Sequence, residues 1–149
     1  MSRWITLTAD HLKAAGFGTI VDRARTLAVG AIDPVQEEID NATARVRRAV
    51  APGNVLDADA TKIPASFKGQ AEKLALYALQ ERIGLLTPQQ RVDACKPIES
   101  DLNRVSDHRI KCELADTPET TATVAETGMK ITAVNVPVRL TGRDRTSGL

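Results

Sequence analysis

Aromatic side chains are scarce in this sequence: one Trp, one Tyr and two Phe, 3% of 149 residues. One modest domain of this length must therefore fill its core with Leu, Ile, Val and Ala, as helical bundles commonly do. An excess of charge of either sign is also lacking. Twenty Lys and Arg stand against 19 Asp and Glu, and a net charge of +1 gives no global electrostatic reason to seek DNA, RNA or an anionic membrane. No apolar run approaches the roughly 20 residues that span a bilayer. The opening Met1-Ser2-Arg3-Trp4-Ile5-Thr6-Leu7-Thr8 is too short and polar for a secretory signal. There are only two cysteines, Cys95 and Cys112, which without such a signal read as reduced thiols. A protein made in the cytoplasm, with no membrane partner, is the simplest expectation.

Motifs that carry chemistry are missing too. The two histidines, His11 and His108, sit in no recognised catalytic motif, and Cys95 with His108 makes a dyad only if the fold joins them. His108 and Cys112 would share a face of a continuous helix, but two ligands are half a zinc site, and neither CxxC nor HExxH occurs. Gly16 and Gly18 form GxG without the third glycine or a following βαβ pattern, and no phosphate-cradling GxxxxGK[ST] stretch exists. The expectation is no catalytic residues, no metal and no cofactor.

What the sequence does have is helical periodicity with clear punctuation. Thr8 caps a short helix over residues 9–15, with Gly16 as its stop and Leu7 and Leu12 at hydrophobic-staple positions. A second short helix runs through Ile20, Ala24 and Leu27. Asp33-Pro34 is an N-cap followed by a first-turn proline, and Val35, Ile39, Ala42, Val46 and Ala49 then recur at three- and four-residue steps until Pro52-Gly53-Asn54. Residues 53–63 read as a loop, after which Pro64 opens a long helix ending near Gly84. Its wide stripe of Phe67, Ala71, Leu74, Ala75, Ala78, Leu79 and Ile83 suits a central helix. Thr87-Pro88 begins a last helical region with Val92, Cys95, Ile98, Leu102 and Val105 on one face. Pro97 predicts a kink or two abutting helices there.

Beyond residue 116 the pattern changes. Residues 116–128 lack an amphipathic period, and residues 129–140 alternate loosely in a Val-rich, strand-like way, with Pro137 suited to an edge. The fold class is therefore mainly α: a small helical bundle over residues 1–115, with an extended, β-capable C-terminal arm and basic tail over residues 116–149. Two features favour binding. Met129, Ile131, Val134, Val136, Val138, Arg139, Leu140 and Arg143 are candidates for a partner-binding arm that adds to another sheet's edge. Arg45, Arg47 and Arg48, preceded by Arg23 and Arg25, are candidates for contact with DNA or with acidic groups of a neighbouring subunit, or else simply a solvated helix end.

The order of these elements resembles the small head–tail connector proteins encoded beside the capsid genes of Mu-like prophages and other tailed phages. Ile5-Thr6-Leu7-Thr8-Ala9-Asp10-His11-Leu12 looks like that family's opening strand-to-helix segment, and the helix from Asp33-Pro34 through Val46 like its second major helix. Ile63-Pro64-Ala65 through Leu79 looks like its central helix, and Val136-Pro137-Val138-Arg139-Leu140-Thr141-Gly142-Arg143-Asp144 like its basic tail. Pro97 and the length of residues 116–128 depart from the pattern. The resemblance implies a structural adaptor in the virion neck, forming a homo-oligomeric ring, usually dodecameric, beneath the portal protein. Such a ring docks the next neck or tail protein and lets packaged DNA pass without sequence specificity. The rival readings are a small helical DNA-binding regulator and an enzyme with a site between subunits.

Overall fold

The computed structural model describes residues 3–119, which form one compact unit; the partner-binding arm proposed from Met129 to Arg143 lies outside the described residues. The described chain is mainly helical, with one small antiparallel sheet. Strand β1 (Trp4–Thr6) is followed by α1 (Ala9–Leu12), a kinked turn (Lys13–Phe17) that breaks at Gly16 with φ 93°, α2 (Gly18–Thr26) and α3 (Pro34–Val50). Then come β2 (Lys62–Pro64), a 3-10 turn (Ala65–Phe67), α4 (Lys68–Arg82) and α5 (Pro88–Ser106).

The start and stop signals explain most of these boundaries. Asp33 caps α3 by accepting the Val35 N–H at 3.0 Å, and Pro34 fills the first turn, where its missing donor leaves no bond unmade. Thr87 and Gln90 form a reciprocal box at the start of α5, with Gln90 N–H to Thr87 Oγ1 at 3.3 Å and Thr87 N–H to Gln90 Oε1 at 2.9 Å. At the end of α4 the N–H groups of Gly84 and Leu85 reach back to the carbonyls of Glu81 and Gln80, at 3.0 and 2.8 Å. That Schellman closure needs a left-handed residue, and Gly84 supplies it with φ 75°. The end of α5 closes the same way, His108 N–H to Val105 O at 2.9 Å and Arg109 N–H to Arg104 O at 2.8 Å. Here a histidine with φ 59° occupies the glycine position.

Central helix α4 buries Ala71, Leu74, Ala75, Leu76, Ala78 and Leu79, so apolar side chains leave it in several directions. Its most extensive neighbour is α3, which offers Val35, Ile39, Ala42, Val46 and Val50. Helix α5 packs against both α4 and α3 and adds Cys95, Ile98, Leu102 and Val105. Leu7 and Leu12, at the staple positions, are both buried in the same core, with Trp4 and Ile63 from the sheet.

Four local expectations change. Pro64 does not open the long helix: it ends β2, opposite Trp4, while buried Ile63 pairs with Ile5. A residue before proline is pushed to the extended region, so Ile63 continues a strand, and α4 begins only at Lys68. Residues 53–63 are consequently not all loop. Of the two outcomes expected at Pro97, a kink or abutting helices, the second does not occur: the last helical region is one element from Pro88 to Ser106. Pro97 sits on the exposed face beside exposed Asp93, whose freed carbonyl water can satisfy. Finally, Leu27 and Val92 are exposed, because the inward stripe of α2 centres on Val21 and Ala24, and that of α5 starts at Cys95.

The two Schellman closures make a paired prediction. His108→Gly, which relieves left-handed strain, raises unfolding free energy by about 1 kcal/mol, while Gly84→Ala, with nothing within 4 Å of the new Cβ, lowers it by about 1 kcal/mol through backbone strain alone. Urea unfolding of both variants checks it; equal signs would show that the left-handed positions are not what limits these termini.

Candidate functional site

The arginine group is taken apart by the fold. Arg45, on the exposed side of α3, pairs with Glu99 of α5. Arg48 is exposed and borders the groove between the same two helices. Arg25 forks onto Asp33, Nε and Nη2 lying 3.1 and 2.8 Å from Oδ2, and so closes the base of the loop between α2 and α3. Arg23 stays exposed.

Arg47 points inward, with 9% of its surface exposed. Its guanidinium donates to three backbone carbonyls: Asp57 at 2.9 Å, Asp59 at 3.0 Å and Lys62 at 2.8 Å. It also lies 5.7 Å from the centroid of the Trp4 ring, within cation–π range, and 3.4 Å from Glu119 Oε1. A guanidinium spreads its donors over a rigid planar fork, so the two terminal nitrogens of Arg47 satisfy these separated carbonyls together and fix the path of residues 57–62 into β2.

Around it runs a strap, residues 113–119, held by carboxylates. Asp57 is fully buried and accepts the N–H of Thr117 at 2.9 Å and of Asp59 at 3.0 Å. The Thr117 N–H does most to hold the Asp57 carboxyl below the usual range, aided by the Asp59 N–H and the Lys62 charge against the opposing effect of burial. Asp116 accepts from the N–H groups of Arg3 and Trp4 at 2.9 and 3.0 Å, and Glu113 from the N–H and hydroxyl of Ser66 at 3.0 and 2.7 Å. The Trp4 indole N–H donates to the Glu113 carbonyl at 3.2 Å, and backbone bonds join Ala58 to Thr117 and Glu119 to Leu56, each at 2.8 Å. The compact body thus extends through Glu119, past residue 115.

Chemistry-bearing side chains are dispersed. His11 Nδ1 accepts the Thr8 N–H at 3.2 Å at the start of α1, and His108 lies against Gly53. Cys95 is buried mid-α5, about 16 Å of helix from Ser106, so the Cys95–His108 pairing does not form. Burial raises both thiols above the ordinary cysteine value. Since α5 ends at Ser106, His108 and Cys112 do not share a helical face. No three His, Cys, Asp or Glu side chains among the described residues gather as metal ligands, and no described helix is long and apolar enough to cross a membrane.

A different surface stands out at the opposite end of α3. The loop after α2 carries Leu27, Val29 and Ile32 at 57%, 102% and 72% exposure. Arg82, in the last turn of α4, reaches Glu37 in the first turn of α3 at 2.7 Å, so exposed Leu85 lies at this same end. The turn passes through Gly30 with φ 119°, a conformation closed to other residues. The run Leu27-Ala28-Val29-Gly30-Ala31-Ile32 ahead of the Asp33 cap is the sequence signal for this loop, masked by the helical spacing of Leu27 from Ala24. Asp57 and the strap were also missed, though Asp57-x-Asp59-x-Thr61 is a series of side-chain turns legible in principle.

Comparison with known protein families, curated proteins and solved structures gives no match for this chain.

The latch yields two predictions. Arg47→Met lowers unfolding free energy by about 3 kcal/mol, and Arg47→Lys recovers less than half, because the three donors of an ammonium radiate from one nitrogen and cannot span acceptors placed for both Nη1 and Nη2; urea titration measures both. Because the folded-state pKa of Asp57 is depressed, its contribution is present above the unfolded value of about 3.9 and is lost as pH falls through the folded value. Asp57→Asn therefore destabilises by about 1–3 kcal/mol near neutrality and makes the stability profile shallower below about pH 4. Identical acid slopes in the two proteins would place the acid sensitivity elsewhere.

Proposed function

We propose that this protein is a structural assembly subunit that works by docking onto other proteins, and specifically a head–tail connector of a tailed phage. The observation that carries the assembly reading is the aliphatic loop Leu27–Ile32, whose bare side chains stand on a turn pinned by the Arg25–Asp33 pair. A loop that turns three large aliphatic side chains outward is the kind of surface that a partner covers. The connector assignment adds the resemblance in element order, from the opening strand-to-helix segment to the basic tail. On this reading copies form a ring below the portal, and the arm from Met129 to Arg143 engages a neighbour. The ring extends the DNA channel and receives the next neck or tail component.

The DNA-regulator reading has less support. Arg25 and Arg45 are paired with carboxylates and Arg47 is spent on backbone carbonyls, which leaves few free cations near the short N-terminal helices. Arg23 and Arg48 stand on separate helices.

Quantitative mass spectrometry of purified phage-like particles tests the connector reading. A small fixed copy number, equal to that of the portal subunit, is expected. Replacing Val29 and Ile32 together by Asp should remove the protein from particles while changing the stability of the isolated protein by less than about 0.5 kcal/mol. Absence of the unmodified protein from intact particles would overturn the assignment.

A further inference from the structure

Helices α3 and α5 leave a groove of about 240 Å³ between their last turns, lined by Arg45, Arg48, Ala49, Glu99, Leu102, Asn103 and Ser106. Residues 45, 48 and 49 share one face of α3, and residues 99, 102, 103 and 106 one face of α5, so both walls follow from helical spacing. Half-buried Ala49 and buried Leu102 make an apolar floor. Above it are three donors that no other described residue engages: the Arg48 guanidinium, the Asn103 amide and the Ser106 hydroxyl.

The charge balance narrows what fits. Two guanidinium groups face one carboxylate, and Glu99 is already bonded to Arg45, so one positive charge is left over, at Arg48. Exposed Asp107 lies one residue past Ser106, and Arg104 is turned toward Asp101 at 3.8 Å. A polyanion such as a duplex would bring many phosphates against these carboxylates, whereas one carboxylate meets one guanidinium. The groove falls below the size range of ordinary small-molecule pockets, which matches a single side chain on an aliphatic stem.

We propose that this groove is a recognition site for one glutamate side chain presented by a partner polypeptide, with Arg48 forking onto the carboxylate, Asn103 and Ser106 donating to it, and Ala49 and Leu102 receiving its methylenes. The site belongs to the folded body and does not depend on the connector reading. It assigns Arg48 a role distinct from the structural roles of Arg45 and Arg47.

The test is amide-resolved NMR titration of the full chain with a blocked pentapeptide carrying a central glutamate between leucines. Its glutamine analogue and a short DNA duplex are titrated in parallel. Shifts are expected at the amides of Leu102, Asn103 and Ser106, with the glutamine peptide at least about tenfold weaker. Arg48→Ala should weaken glutamate-peptide binding by about tenfold or more, and Ser106→Ala, which leaves the charge untouched, by about threefold. Arg23→Ala, which removes the same charge from α2, should leave affinity unchanged. Equal binding of the two peptides, equal losses from Arg48→Ala and Arg23→Ala, no shift at the groove amides, or tighter binding of duplex at those amides would each overturn the proposal.

Discussion

A single inward-facing guanidinium organises the part of this fold that helical periodicity does not. Arg47 stands on α3, the helix most extensively packed against α4, and from there it binds the carbonyls of Asp57, Asp59 and Lys62. Those bonds carry the connection from α3 into β2, and β2 in turn pairs with β1 and seats Trp4 and Ile63 in the core. The strap then closes over the sheet through Asp57, Glu113 and Asp116. Each part satisfies the backbone groups that another part would leave buried and unpaired. Among the described residues no buried side-chain polar atom is left without a partner.

This arrangement separates the molecule's structural polar groups from its available ones. Arg47 and Asp57 are consumed internally, and Arg25, Arg45 and Arg82 are held in partly exposed pairs of small individual worth. Among the surfaces that the described residues leave exposed are an aliphatic loop at the start of α3 and a singly charged groove near its end. The length of α3, about 25 Å, lies between them, so one subunit offers chemically different contacts at its two ends. Different contacts at opposite ends suit a subunit that sits between unlike neighbours, which is the task of a connector.

The helices were legible because their signals are local. Asp33-Pro34 and Thr87-Pro88 name two starts, Gly84 names a stop, and the stripe from Phe67 to Ile83 identifies the central helix through its width. Of the sheet only the first strand was legible, through the opening strand-to-helix segment; β2 and the pairing were not, since three-residue strands have too little alternation to register and β1 and β2 are joined across almost sixty residues of chain. The role of Arg47 was hidden for a related reason: in sequence it is one of three basic residues at a helix end. Only the rotation of α3 against α4 turns it inward and Arg48 outward. Asn103 and Ser106 carry no signal of their own until α3 is placed beside them.

The claim that Arg47 holds the loop, the sheet and the strap as one unit is most directly tested by amide hydrogen exchange. The N–H groups of Ala58, Thr117 and Glu119 should be protected in the native protein, since each donates to a strap or loop acceptor. In Arg47→Met these three should exchange about a hundredfold faster, a larger acceleration than that of core amides in α4. Acceleration equal to that of the core, or unprotected amides in the native protein, would contradict the account.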